Sequence, residues 1–122
     1  MTSAEVTAEA EKLIAYWKRQ LRLEDWDITI HTPEHDPECC GRTSYAPQYG
    51  RAHILIRNPA MHPPTTAADP DLELTIVHEL LHVRHHATGG VFKKDSAEWD
   101  LNELATERTA QALVSLNRGI RR

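Results

Sequence analysis

His78-Glu79-Leu80-Leu81-His82 is the stretch on which the fold and the chemistry of this chain turn. In an α-helix, His78 and His82 fall one turn apart on one face, about 6 Å along the axis, so both imidazoles can reach a single metal ion. Glu79 projects beside them, where a carboxylate can take a proton from a water molecule held at such an ion. Zinc prefers four ligands in a tetrahedron, so the two histidines leave a third protein ligand to be found elsewhere.

The flanking residues support a buried helix. Asp69 is a suitable N-cap, Pro70 suits the first helical position, and Asp71 and Glu73 favour the positive end of the helix dipole. On a helical wheel Ile76, Leu80, Val83 and Ala87 lie opposite the histidines, and Leu74, Val77 and Leu81 flank them. A helix apolar over so much of its circumference belongs in the interior. Histidines held there need a metal or strong hydrogen bonds.

A second helical pattern supplies candidate ligands. Asp95-x-x-Glu98 has the form of a capping box, and the pattern runs to about Asn117, with Gly119 as a stop signal. Glu103, Glu107, Ala110 and Val114 share one stripe, while Leu101, Leu104, Ala105, Ala112 and Leu116 cover much of the remainder. Carboxylates on a stripe that continues as apolar point inward. Packed antiparallel after the turn at Gly89-Gly90, the stripe would meet the His78/His82 face. Two histidines and one glutamate, with a position left for water, make a catalytic rather than a structural site. Spacing alone does not separate Glu103 from Glu107, four residues apart on one face.

His78-Glu79-Leu80-Leu81-His82 followed by Asn102-Glu103-Leu104-Ala105-Thr106-Glu107 resembles the gluzincin metallopeptidases, whose second motif is Asn-Glu-x-x-x-acid about twenty residues beyond the second histidine. The small minigluzincin-like, SprT-like and ImmA-like proteins, many encoded by phages or mobile elements, are the most similar kind. The resemblance spans roughly residues 43 to 116. It implies that Glu103 is the third zinc ligand and that Glu107 orients a ligand imidazole, usually His78, with Glu107 as the alternative ligand. His85 and Thr88 stand where a metzincin has Gly and His. Thr88 also fails the endoribonuclease-like pattern of histidines four and then six residues apart.

The rest of the chain reads as one α+β domain over residues 1–122, in the order α-β-β-β-α-α. Helix one is expected from Ser3 to Leu21, with Val6, Ala10, Leu13, Ile14, Trp17 and Leu21 at helical spacing. Trp26, Ile28 and Ile30 alternate as a strand, Arg42 to Ala46 form a second, and Ala52, Ile54 and Ile56 mark a third. Pro47 to Gly50 is a turn, and residues 58 to 70 are a proline-rich loop able to cover a cleft. The fold expected from the resemblance is zincin-like: an N-terminal helix, a small three-stranded sheet, the zinc-binding helix and a C-terminal helix carrying the third ligand. By the same resemblance, Arg51 to Arg57 is the strand that would pair with an extended substrate.

Other residues carry less. Adjacent Cys39 and Cys40, near His31, His35 and Glu38, lack the Cys-x-x-Cys spacing of a zinc ribbon, and no feature marks either thiol as activated. His85 and His86 read as solvent-facing or cleft-rim residues. An electrophile for the tetrahedral intermediate is expected, with His85, Tyr45, Tyr49 and His53 as open candidates. A net charge of −4 gives no general attraction for nucleic acid, and Arg118, Arg121 and Arg122 read as a small basic tail. Without a signal peptide, membrane-length apolar run or disulfide framework, a cytoplasmic protein is expected.

The expected function is a zinc metallopeptidase, a hydrolase acting on peptide or protein substrates, with Glu79 catalytic and zinc on His78, His82 and Glu103. The alternative is a zinc-binding regulatory or partner-binding protein of a phage or mobile element with little general proteolytic activity. A structural helix bundle with a coincidental motif stands behind both. No pattern in the chain decides its oligomeric state.

Overall fold

A computed structural model describes residues 1–63, 71–86 and 92–121, with side chains as far as residue 119. The described residues are α+β: three helices and one three-stranded sheet. Helix α1 (Ser3–Gln20) begins in a reciprocal capping box, in which the Glu5 N–H donates to the Thr2 hydroxyl and the Thr2 N–H to the Glu5 carboxylate. It ends with Arg22 in the left-handed region, φ 60°, while the Leu23 N–H reaches the Lys18 carbonyl. That closure needs no glycine and tucks Leu23 into the core.

The strands are β1 (Asp27–His31), β2 (Gly41–Ala46) and β3 (Arg51–Ile56). A single helical turn at Pro47–Tyr49, closed by Gly50 at φ 62°, reverses the chain between β2 and β3. The sheet order is β1-β3-β2, with β1 parallel and β2 antiparallel to β3. β3 is therefore central and hydrogen-bonded on both edges. This corrects the expectation that Arg51 to Arg57 would pair with a substrate, because β1 and β2 already occupy the edges a peptide would need.

Among the described residues β1 and β2 are the two sheet edges, and β2 is the one that packs beside α2. The Arg57 N–H donates to the Cys40 carbonyl, which sets the parity of the ladder: Arg42, Ser44 and Ala46 bond to β3, and Gly41, Thr43 and Tyr45 turn their backbone groups outward.

Ala52, Ile54 and Ile56 form the buried face of β3, and helix α2 (Leu72–Arg84) packs Ile76, Val77, Leu80, Leu81 and Val83 into the same core as Ala10, Ile14 and Trp17 of α1. Each of the Ile, Val and Leu side chains among these, fully buried, contributes about 1.5–3 kcal/mol. The N-cap of α2 is Asp71, whose carboxylate accepts from the Leu74 N–H at 3.0 Å. That is two residues later than the expected Asp69, which with Pro70, Ala87, Thr88, Gly89 and Gly90 lies outside the described residues.

Helix α3 (Ala97–Arg121) is capped by Ser96, whose hydroxyl accepts from the Trp99 N–H at 3.1 Å. Asp95 sits just outside it at φ 65°, so the expected Asp95/Glu98 capping box does not form. The helix continues through Gly119. Among the described residues of α3 one stripe is buried, through Thr106, Ala110 and Val114, whereas Leu101 and Leu116 are about two-thirds exposed at 66% and 65%.

A polar network joins the three helices. The Trp17 indole N–H donates to buried Glu73 at 2.8 Å, and the Arg118 guanidinium donates to Glu73 at 3.2 Å and to Asp71 at 2.9 Å. Arg118 is thus a clamp between α3 and the start of α2, not part of a tail. Burial pushes the Asp71 carboxyl up, but Arg118 and the Leu74 N–H outweigh it and hold it below the usual carboxylate range. No helix among the described residues is long and apolar enough to cross a membrane.

Candidate metal centre

His78 and His82 lie on the face of α2 turned toward α3, their rings 4.9 Å apart between centroids. Helical spacing sets that separation, and burial of Ile76, Val77, Leu80 and Val83 on the other faces fixes which way the rings point. Ligand atoms, one each from His78, Glu79 and His82, lie within 4.8 Å of one another.

Two carboxylates arrive from α3 with different contacts. The Glu103 carboxylate bridges both imidazoles, one oxygen 3.2 Å from His78 Nε2 and the other 3.0 Å from His82 Nε2. Glu107 instead meets the far side of the first ring, 3.0 Å from His78 Nδ1. If Nδ1 carries the proton donated to Glu107, the Nε2 lone pair faces the Glu103 carboxylate. Lone pairs meeting lone pairs repel, and a cation at the convergence of Glu103, His78 and His82 would turn that repulsion into ligation. The donor set of two imidazoles and one carboxylate suits zinc.

His82 fits the same logic. Burial lowers its pKa, outweighing the attraction of Glu103, and a neutral imidazole is the form that ligates.

Glu79 is buried, 6% exposed, and held against the underside of β2. The Thr43 hydroxyl donates to its carboxylate at 2.6 Å. Gly41 makes room for it: a Cβ there would lie 3.0 Å from Glu79 Cγ and 3.1 Å from both Glu79 Oε2 and Thr75 Cγ2. Burial raises the Glu79 pKa, with Glu103 and Glu107 adding to the rise, while Thr43 and His78 oppose it. A carboxylate raised in this way is a stronger base than a solvated one.

Clefts flank the centre under the free edge of β2. The one on the His82 side, about 360 Å³, has walls of Tyr45, Lys94, Trp99 and Asn102. The one on the His78 side, about 330 Å³, includes Cys40, His62, Leu74 and Glu107.

The structure brings together His78, Glu79, His82, Glu103 and Glu107 and leaves other candidates apart. Tyr49 is 72% exposed, and His53 lies on the outer sheet face, within 2.9 Å of the Thr29 hydroxyl. His85 is the exposed C-cap of α2. His86 packs edge-on against Trp26 and Tyr45. Tyr45 is the tyrosine that borders the centre. Cys39 and Cys40 are free thiols, and Cys40 has its sulfur 3.9 Å from His62 Nδ1. Among the described residues, His78, Glu79 and His82 form the one group of His, Cys, Asp and Glu side chains close enough together that they could hold a metal ion.

Thr43 and Gly41 escaped sequence reasoning. A threonine and a glycine in a short strand carry no chemical signature until the strand is seen to lie across Glu79.

No protein-family model matches the chain, and comparison with curated proteins and with solved structures finds no significant similarity.

Proposed function

We propose that this protein is a zinc-dependent metallopeptidase of the gluzincin kind, with zincin-like architecture and with His78, His82 and Glu103 as metal ligands. The observation that carries this reading is the bridging of both Nε2 atoms by Glu103, with buried Glu79 beside them. When bound, zinc supplies Lewis acidity to a water molecule and to the scissile carbonyl.

The chain's own residues do the rest. Glu79 takes the proton of the attacking water and returns it to the leaving amine. Thr43 holds that carboxylate in place, and Glu107 fixes the orientation of His78 so that Nε2 faces the ion. An extended peptide pairs with the open edge of β2, where Gly41, Thr43 and Tyr45 offer backbone groups. Its scissile bond then lies between the clefts.

The test combines elemental analysis with cleavage of a pool of unstructured peptides by wild type and by Glu79→Gln. About one zinc per chain, with turnover in wild type and its loss in a folded, zinc-loaded variant, supports the proposal. Full activity in Glu79→Gln overturns it. Zinc retained by an inactive wild type favours a metal-binding module that acts through a partner. A wild type that takes up no zinc leaves the motif a coincidence.

A further inference from the structure

The His82-side cleft has a chemistry of its own. Lys94 lines it from the segment before α3, and Arg42 stands at its rim, with its guanidinium 3.8 Å from the sulfur of Cys39 in the cleft wall. Neither cation forms an ion pair with a described carboxylate, although the chain is acidic overall, with a net charge of −4. The acids at the cleft floor, Glu79 and Glu103, face the imidazoles and the proposed ion. A divalent cation there would balance those two carboxylates. The charge left for an occupant is then that of Lys94 and Arg42.

Trp99 and Tyr45 add flat aromatic walls, and Asn102 a neutral amide, so the cleft combines apolar contact with an anion-attracting end.

From this we infer that the His82-side cleft is a subsite for a substrate carboxylate, recognised by Lys94 with Arg42. It would accept an acidic side chain next to the scissile bond or a free C-terminal carboxylate. The inference deepens the peptidase proposal and rests on it for the metal charge. Lys94 reads the charge and Arg42 reinforces it at the rim, while Trp99 packs against the carbon chain that carries the carboxylate.

The experiment uses zinc-loaded Glu79→Gln protein, which binds without turning over, and isothermal titration with acetylated pentapeptides Ala-Ala-X-Ala-Ala. Amidated peptides with X as Glu, Gln or Lys test the side chain, and penta-alanine with a free C-terminus tests the terminal carboxylate. At least one carboxylate peptide is expected to bind about tenfold more tightly than the Gln peptide, with the Lys peptide weakest. Lys94→Glu should abolish that preference and Arg42→Glu should weaken it, with zinc content and melting temperature as controls on folding. Equal affinity for Glu, Gln and free-acid peptides, no measurable binding by any of them, or a preference untouched by Lys94→Glu overturns the inference. Cleavage by wild type without charge preference would sink the subsite alone. Carboxylate-selective binding without cleavage would sink the peptidase proposal alone.

Discussion

Thr43 on strand β2 donates its hydroxyl proton to Glu79 on helix α2 at 2.6 Å, across a sequence separation of 36 residues. The sheet therefore holds the group proposed to move protons, while the helix presents the groups proposed to hold the metal. Hydrogen bonding to the charged form lowers a carboxyl pKa, so Thr43 restrains the upward push of burial on Glu79.

Thr43→Val removes that restraint with little change in shape. The Glu79 pKa should rise further, moving the acidic limb of the kcat/KM profile to higher pH and lowering the plateau about 3- to 10-fold. Zinc content should not change. A pH–rate profile checks this, and an unmoved acidic limb would show that Thr43 does not tune Glu79.

Gly41→Ala places a methyl group 3.0 Å from Glu79 Cγ and 3.1 Å from Thr75 Cγ2, tighter than nearly all packed carbons adopt. Glu79 has to shift. The expected result is a loss of about tenfold or more in kcat and about 1–2 kcal/mol in stability, while the proposed zinc ligands, which the methyl does not touch, keep their affinity. Steady-state kinetics, urea denaturation and zinc titration together separate these effects. Wild-type kcat in the variant would remove Gly41 from the positioning of Glu79.

Glu103 touches both Nε2 atoms, whereas of the two imidazoles Glu107 meets that of His78, at Nδ1, so the two should differ in zinc binding. Glu103→Gln is expected to lose zinc by 100-fold or more in affinity, and Glu107→Gln by about 10- to 100-fold. Competition with a chromophoric chelator measures both. Greater loss in Glu107→Gln would exchange their roles.

Arg118→Ala opens the clamp on Asp71 and Glu73. With Arg118 partly exposed and its ion pairs screened by solvent, a loss of about 1–2 kcal/mol at neutral pH is expected. Because Asp71 is depressed in the folded state, its contribution is present above the ordinary carboxylate range and is lost as pH falls through its folded value. The difference between wild type and variant should therefore narrow in acid. Urea midpoints across the acidic range test this, and a constant difference would mean that Arg118 acts by packing alone.

Much of the fold was legible because its elements announce themselves locally. The alternation Ala52, Ile54, Ile56 marks a strand with one buried face, and the spacing from Val6 to Trp17 marks a core helix. Local signals were weaker at the ends. Asp69 and Asp71 are equally good caps by type, and the choice of Asp71 goes with its tie to Arg118 from 47 residues away. Gly119 carries a stop signal, yet α3 runs past it. Leu101, Leu104 and Leu116 read as core by type but face outward, because α3 buries one stripe against α2 and no described element covers its other side.

The chain by itself determined which residues can ligate and how two of them are spaced, since 3.6 residues per turn puts His78 and His82 on one face wherever the helix goes. It also determined that Glu103 and Glu107 share a stripe. Tertiary structure decided what those residues meet: Glu103 both Nε2 atoms, Glu107 the opposite nitrogen of His78, and Glu79 a threonine on a neighbouring strand. It also put β3 in the middle of the sheet and, among the described residues, left β2 as an edge strand. The physical reason is that periodicity along a helix or strand assigns a side chain to a face. Strand order and helix docking, which assign that face a partner, depend on packing between segments far apart in the chain.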